Sequence, residues 1–434
     1  MVFLRVAIMG LALLISGCAI TPKNMAGCNF VRRELAVSDP NDRGQPTLAA
    51  DMSQSLNRHR AFLPPQERLG SMLFLSGGGQ NGAFGAGFLQ GWKNKHGGRL
   101  PEFTVVTGIS TGAILSTFAF INQPERALAG YTITDERVLL TAFSKRGGTS
   151  LGLSTGFTLL RKGAVADLEP LRSRLDTALS DDVLEAVATA ADRGRKLFVG
   201  AIDLDTGEAV AFDLTDMAVK WKGAEAGAER ERLEACYIEA IVASSSAPIA
   251  ATPVFINHRM YMDGGARFGV FSDEIGKVLE ERSVSGGLAG PPPTTYVLIN
   301  GDQLIGTDCG TQADCGGDNP APGDLARLGH KKWNFLDLAL RSEEILVNQV
   351  YRFSADSIRA SAEQEGTPFK FVKISPEVLD FKLDLTGSGL DDGERTCRDW
   401  RQRDRDLSKP LQFHPRYMRC LIAYGQAKAA SSDW

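Results

Sequence analysis

Two short apolar runs in this chain each end at a glycine-rich turn, and each turn leads into an apolar stretch long enough for a helix. The first run is Ser71-Met72-Leu73-Phe74-Leu75, and Gly77-Gly78-Gly79 follow it. The second run, 103–107, leads through Gly108-Ile109-Ser110-Thr111-Gly112 into the stretch 111–121. Short apolar runs bounded by glycine indicate buried strands. Because strands joined by helices pair in parallel, the sequence predicts an α/β fold with a mostly parallel central sheet.

Weaker patterns continue this alternation of strands and helices. Hairpins are expected at 196–213 and 255–262, a buried strand at 296–300, and helices at 233–243 and 333–360. Ala83, Gly87 and Gly91 are spaced by four and form a narrow helix face that we expect to pack on the sheet. The charge-dense segment 391–406 is expected to be a solvated face.

Residues 1–17 have the pattern of a secretory signal peptide. Arg5 precedes an apolar run, 6–16, that is shorter than the roughly 20 residues of a membrane-spanning helix. The run ends Ile15-Ser16-Gly17-Cys18, which resembles the lipobox of bacterial lipoproteins. The resemblance implies cleavage before Cys18 and acylation of this residue; the alternative is an ordinary signal peptide with an incidental cysteine. Ala19, rather than Asp, at the next position favours the outer membrane, facing the periplasm.

Seven cysteines occur, and lipidation of Cys18 leaves six in an oxidising compartment where disulfides form. We favour the pairings Cys309–Cys315 and Cys397–Cys420. Cys236 lies in an apolar helical stretch and could simply be a buried thiol. The chain has no CxxC pair, so no metal site is predicted. Its net charge of −4 gives no general attraction to nucleic acid.

The motif GxSxG occurs twice, around Ser110 and around Ser154. A nucleophile elbow needs a strand running into the serine and a helix running out of it, so that the hydroxyl is exposed at a tight turn. Only Ser110 has that context, because the residues before Ser154 have the composition of a loop. Gly108 and Gly112 suit the elbow, since a Cβ atom at either position would crowd the turn.

Two further glycine motifs accompany the elbow. Gly77-Gly78-Gly79-Gln80-Asn81-Gly82 follows a strand, and unhindered N–H groups at such a turn can bind the oxyanion of an acyl-transfer reaction. A dinucleotide-binding GxGxxG turn and a purely structural glycine turn are the alternatives. Asp263-Gly264-Gly265 follows the apolar residues 260–262 and could direct a carboxylate at a neighbouring loop, or could be an ordinary turn.

The order GGGxxG, GxSxG, DGG resembles that of the patatin-like phospholipases, over roughly residues 69–270. The segments 243–248 and 167–171 also resemble that family. Two positions depart from its pattern: Asn81 stands where Arg or Lys is frequent, and 268–270 lacks an Asn-x-Pro sequence. The resemblance implies a three-layer α/β/α fold with N- and C-terminal extensions. The expected divisions are a signal peptide (1–17), a tether and N-terminal extension (18–66), a catalytic domain (67–360) and a C-terminal extension (361–434).

The resemblance also implies a serine lipid acyl hydrolase, of phospholipase A or lysophospholipase type, that needs no cofactor. Ser110 would attack a membrane lipid or other acyl ester, and Asp263 would act as the base. The oxyanion hole would include Gly77, Gly78, Gly79 and Gly82, with the turn Gly264-Gly265 supporting the base. A Ser-His-Asp esterase using His330 or His414 and a non-catalytic lipid- or partner-binding lipoprotein are the alternatives. Phe84, Phe88 and Trp92 are expected in the core rather than in an acyl pocket.

Overall fold

The computed structural model describes residues 24–35, 47–63, 70–143, 163–271, 276–278, 293–301, 335–408 and 410–434. The expected signal peptide, Cys18, Ser154, the pair Cys309–Cys315 and His330 lie outside these ranges. No helix in the ranges above is both long enough and apolar enough to cross a membrane.

Strands and helices are interspersed along the chain. The strands are β1 (Asn24–Met25), β2 (Arg32–Glu34), β3 (Ser71–Leu75), β4 (Phe103–Ile109), β5 (Thr141–Ala142), β6 (Ala166–Asp167), β7 (Lys196–Asp203), β8 (Glu208–Asp213), β9 (Val254–Ile256), β10 (Arg259–Asp263), β11 (Thr294–Ile299), β12 (Phe369–Lys373), β13 (Lys382–Asp384) and β14 (Glu394–Thr396). The helices are α1 (Leu48–His59), α2 (Gly82–Lys95), α3 (Thr111–Phe120), α4 (Pro124–Tyr131), α5 (Glu169–Ala178), α6 (Asp181–Asp192), α7 (Leu214–Gly223), α8 (Ala228–Ser245), α9 (Phe335–Gln364), α10 (Cys397–Leu407) and α11 (Pro415–Ser431).

The main sheet has a parallel centre, in the order β12–β11–β3–β4–β7, with antiparallel strands beyond β7. Alternate residues of a strand point to opposite faces, and in β3 both faces are apolar. Leu73 and Leu75 join the core on one side of the sheet, whereas Met72 and Phe74 join the core on the other side. Helices cover both faces, so the predicted α/β/α fold is confirmed.

Both chain extensions add strands to this sheet. β1 pairs in parallel with β9, and β2 pairs antiparallel with β8. β12 lies beyond the domain boundary expected at 360 and pairs along its length with β11. The boundaries expected at 66 and 360 therefore do not separate the extensions from the sheet.

Helix α11 packs along α2 through glycines. A Cβ atom on Gly87 would lie 2.2 Å from the carbonyl oxygen of Ile422, and one on Gly425 would lie 2.3 Å from that of Phe84. The expectation that this glycine face packs on the sheet was wrong, because the missing side chains allow two helix backbones to meet. The aromatic residues of α2 lie in the core, as expected, and the rings of Phe88 and Trp92 each have their centroid 4.9 Å from that of Trp434.

Two disulfides lie in the described ranges. Cys397–Cys420, one of the pairings favoured from the sequence, joins α10 to α11. Cys236 is buried, but the alternative that it is an unpaired thiol was wrong, because it is bonded to Cys28. Asn257, in the β9–β10 turn, fixes the position of Cys28 by accepting a hydrogen bond from its N–H (3.1 Å) and donating one to its carbonyl oxygen (2.7 Å).

The charge-dense segment 391–406 is not uniformly solvated. Asp404 is fully buried and accepts hydrogen bonds from the backbone N–H groups of Arg416 (2.9 Å) and Tyr417 (3.1 Å), at the start of α11. The Arg416 guanidinium lies 2.9 Å from the same carboxylate. The expectation of a solvated face was therefore wrong at Asp404, which anchors α10 to α11.

Candidate active site

Ser110 lies at the sharp turn between β4 and α3. Its backbone has φ 56° and ψ −124°, a conformation that costs a non-glycine residue about 1–3 kcal/mol. The flanking glycines make the turn possible: a Cβ atom on Gly108 would lie 2.3 Å from the carbonyl oxygen of Gly112, and one on Gly112 would lie 2.3 Å from that of Leu75. This is the strand–turn–helix geometry expected from the sequence.

Asp263 reaches Ser110 because β4 and β10 share one edge of β7. The other edge of β7 pairs with β8. β4 runs parallel to β7 and its last residue, Ile109, pairs with Gly200. β10 runs antiparallel to β7 and its last residue, Asp263, pairs with Ala201. The two strands therefore run towards each other, and their ends meet where the serine follows β4.

The serine run at the end of α8 holds both residues by their backbones. The Ser244 hydroxyl accepts a hydrogen bond from the Ser110 N–H (2.8 Å) and donates one to the Gly200 carbonyl (2.5 Å). The Ser246 carbonyl accepts the Asp263 N–H at 3.0 Å. The segment 243–248 was noted in the sequence only as a resemblance, and the structure gives it this positioning role.

The Asp263 carboxylate is buried, and burial raises its pKa from 3.8 to about 6. Hydrogen bonds from the Ser110 hydroxyl and from the Gly265 N–H, the latter at 2.7 Å, favour the charged form and limit the rise in pKa. A carboxylate with this pKa is mostly ionised at neutral pH, and it lies against a serine hydroxyl. The pair can therefore accept and return a proton.

The glycine loop after β3 lies close to the elbow. Gly78 has φ 151° and Gly79 has φ 54°, and a Cβ atom on Gly78 would lie 2.7 Å from the carbonyl carbon of Asn300. Gly82 is equally tight against α3, since its Cβ atom would lie 1.9 Å from the Thr111 hydroxyl oxygen. The loop N–H groups and the amino end of α3 together form a site that favours negative charge.

Histidine takes no part in this pair within the described ranges. The Asp263 carboxylate accepts hydrogen bonds from the Ser110 hydroxyl and from the Gly265 N–H. His414 lies instead beside the glycine loop, with Nδ1 3.1 Å from the Gln80 side-chain oxygen.

The C-terminal part of the chain covers the glycine loop, which sequence patterns did not indicate. The Glu136 carboxylate accepts hydrogen bonds from the N–H groups of Leu411, Gln412 and Phe413 at 2.7, 2.5 and 2.8 Å. This arrangement places the Gln412 amide so close to the loop that a Cβ atom on Gly79 would lie 2.5 Å from it. Glu136 is far from residues 411–413 in the sequence, so no local sequence pattern could have revealed these hydrogen bonds.

A second missed residue, Tyr351 of α9, enters the site from outside the segment that carries the three motifs. It is 5% exposed, and a Cβ atom on Gly77 would lie 2.2 Å from its hydroxyl oxygen. The only signal in the sequence was the predicted helix at 333–360, which does not say what its inner face meets.

Comparison with models of protein families gives a match that includes both Ser110 and Asp263. No curated protein sequence matches the chain. Residues 73–272 match the family model of the patatin-like phospholipases, a stretch that includes the glycine loop, the elbow, the serine run and Asp263. Residues 73–272 therefore form a patatin-like phospholipase domain, of a family of lipid acyl hydrolases.

Proposed function

We propose that this protein is a serine lipid acyl hydrolase that cleaves phospholipids, lysophospholipids or related acyl esters through a dyad of Ser110 and Asp263. The observation that carries the proposal is the meeting of β4 and β10 on β7, which sets a serine hydroxyl against a buried carboxylate. The family match supports the same chemistry.

In the proposed reaction, the Ser110 oxygen attacks the ester carbonyl while Asp263 takes the serine proton. The carbonyl oxygen becomes an oxyanion, which N–H groups of Gly78, Gly79 and Thr111 would hold. The bond to the alcohol then breaks, and Asp263 gives its proton to the departing oxygen. Water, activated by the same carboxylate, releases the acid and restores the free serine.

A dyad without histidine needs a base whose pKa lies near the operating pH. An ordinary aspartate is a weak base at neutral pH, and burial raises the pKa of Asp263 to about 6. The strained backbone of Ser110 supports the same function, because it projects the hydroxyl from the turn towards the carboxylate.

A fluorophosphonate probe and a panel of phospholipid and lysophospholipid esters test the proposal. Wild type should label and hydrolyse, Ser110→Ala should do neither, and Asp263→Asn should come close to the same loss. Ser154→Ala is the matched control, because it removes the serine of the second GxSxG and should keep most activity. Activity in Ser110→Ala would overturn the proposal, and absence of labelling in wild type would favour a lipid-binding protein.

Loss of activity in a folded histidine variant would replace the dyad by a triad. His330→Ala and His414→Ala should both remain active if Asp263 takes the serine proton directly. Melting temperatures near that of wild type would show that each variant is folded.

We also propose that Cys18 carries lipid and holds the enzyme on the bacterial outer membrane, on its periplasmic side. The support is the sequence Ile15-Ser16-Gly17-Cys18 after a short apolar run. A membrane anchor would keep the enzyme beside a lipid substrate. Intact-mass measurement of membrane-extracted protein should find a mature chain that begins at Cys18 and bears acyl groups, and Cys18→Ser should remove them. A mature chain that begins elsewhere would refute the anchor.

A further inference from the structure

Glycines make the room that Tyr351 occupies. A Cβ atom on Gly301 would lie 2.3 Å from the tyrosine ring, and one on Gly269 would lie 2.6 Å from it. Gly301 follows β11 and Gly269 follows the DGG turn, so the ring lies between two loops at the edge of the site. Any side chain at either glycine would displace it.

The Tyr351 hydroxyl lies between the glycine loop, the nucleophile and the base. A Cβ atom on Gly77 would be 2.2 Å from this hydroxyl oxygen and 2.9 Å from the Ser110 Cβ. A Cβ atom on Gly265 would be 2.8 Å from the same oxygen and 3.1 Å from Asp263 Oδ1. One small space is thus bordered by the hydroxyl, by Ser110 and by Asp263.

The hydroxyl is a neutral hydrogen-bond donor in this space. Burial, together with the nearby carboxylates of Asp263 and Glu343, raises the pKa of Tyr351 well above 10. Its oxygen has no hydrogen bond to another residue in the described ranges, so the donor is available to a bound molecule. The glycine loop, Gly77 to Gly82, contains no Arg or Lys, so the loop itself supplies no charged donor.

The position beside Asp263 identifies the oxygen that the hydroxyl would meet. In the proposed hydrolysis, Asp263 passes the serine proton to the alcohol oxygen as the ester bond breaks. The leaving oxygen must therefore lie next to the Asp263 carboxyl, whereas the oxyanion lies towards the N–H groups of the loop and of α3. The Tyr351 hydroxyl borders the carboxyl as well as the loop, since a Cβ atom on Gly265 would lie 2.8 Å from its oxygen and one on Gly77 would lie 2.2 Å from it.

We propose that Tyr351 is a further catalytic residue of this site, whose hydroxyl donates a hydrogen bond to the leaving alcohol oxygen. The inference rests on the proposed Ser110–Asp263 hydrolysis. The bond from Ser110 to the acyl carbon forms, the bond from that carbon to the alcohol oxygen breaks, and Asp263 supplies the proton. Tyr351 keeps its own proton and stabilises the negative charge that builds on the leaving oxygen.

A series of esters of one fatty acid tests this role, since their alcohols differ in how much help they need to leave. We would measure kcat/KM, which reports acylation, for the p-nitrophenyl, trifluoroethyl and ethyl esters with wild type and Tyr351→Phe. The ethyl ester should lose about a hundredfold, as when one donor to a developing oxyanion is removed. The p-nitrophenyl ester should lose only a few-fold, because nitrophenoxide leaves without a donor.

The matched control is Tyr237→Phe, which removes another buried tyrosine hydroxyl, one that contacts Thr117 away from the dyad. It should affect all the esters equally and slightly. Equal losses for every ester in Tyr351→Phe, or no loss for any, would overturn the role at the leaving oxygen. If wild type hydrolyses no ester faster than Ser110→Ala, the hydrolase proposal itself fails, and this outcome is distinct from a failure of the Tyr351 role.

Discussion

Ionisation of the buried Asp263 carboxylate should destabilise the folded protein, and Asp263→Asn measures that cost. Burial raises the pKa of Asp263 from 3.8 to about 6, so the folded chain holds this proton more tightly than the unfolded chain. The stability that the proton supplies is fully present below about pH 4 and is lost as the pH rises through about 6. Asparagine stays neutral and can still accept the Gly265 N–H. The variant should therefore gain stability over wild type as the pH rises.

The change in pKa sets the size of the effect. A rise from 3.8 to about 6 corresponds to about 3 kcal/mol of unfolding free energy at pH 8. Roughly half of this is already lost at pH 5, where the unfolded carboxylate is ionised and the folded one is mostly protonated. Other groups titrate in both proteins, so they cancel when the two are compared at one pH. The difference in unfolding free energy between Asp263→Asn and wild type should therefore increase by about 1.5 kcal/mol between pH 5 and pH 8.

Melting temperatures and urea unfolding of wild type and Asp263→Asn at pH 5, 6, 7 and 8 would measure this gap. Neither measurement depends on activity, so the test is independent of substrate. A difference in unfolding free energy between the variant and wild type that stays constant with pH, or that narrows towards pH 8, would refute the argument that burial raises the pKa of Asp263.

Asp203→Asn is a control of opposite sign. Asp203 is also buried, which would raise its pKa, but Arg259 and Arg32 hydrogen-bond to it and hold its pKa below the ordinary value. Its ionised form stabilises the fold above the unfolded pKa, and that contribution is lost as the pH falls through the folded pKa. Asp203→Asn should therefore cost stability at pH 7, and the cost should shrink as the pH is lowered.

Three other measurements test the role of Asp263 as base, the contact between α2 and α11, and the Cys397–Cys420 disulfide. The kcat/KM for an ester should rise with pH through an apparent pKa of about 6, as Asp263 becomes ionised; a profile that is flat between pH 5 and 8 would contradict its role as base. Gly425→Ala should lower the unfolding free energy by about 1–3 kcal/mol, since the new Cβ would lie 2.3 Å from a backbone oxygen, whereas Gly130→Ala, with open space around it, should be neutral or slightly stabilising in the same urea titration. The double variant Cys397→Ser, Cys420→Ser should lose about 3 kcal/mol by loop entropy, measured against wild type under non-reducing conditions; equal melting temperatures would contradict a structural disulfide.

The sequence predicted the local parts of this site well. The strand before Ser110, the helix after it and the crowding of the two glycines all follow from patterns within the single stretch 103–121. The β9–β10 hairpin was also predicted, and the structure has positive φ at both Asn257 and His258 in its turn. Such features depend on neighbouring residues, so their signals are local.

The parts that the sequence could not predict depend on distant pairing. The meeting of Ile109 and Asp263 on β7 is a matter of register, and no run of residues encodes which strand ends face each other. Tyr351 reaches the site because Gly269 and Gly301 leave room for its ring, and those glycines are far apart in the chain. Cys236 was misread for the same reason, since its partner is 208 residues away.

The contact between α2 and α11 also governs when the chain can finish folding. His96, which follows α2, lies with Nε2 2.8 Å from the carbonyl oxygen of Trp434, 338 residues later in the chain. Synthesis proceeds from the amino end, so Phe88 and Trp92 remain without this partner until residue 434 has been made. Contacts at this separation slow folding, because a long loop must close before they form. A chain that lacks Trp434 would leave the rings of Phe88 and Trp92 without this cover, and exposed apolar surface of this kind promotes aggregation.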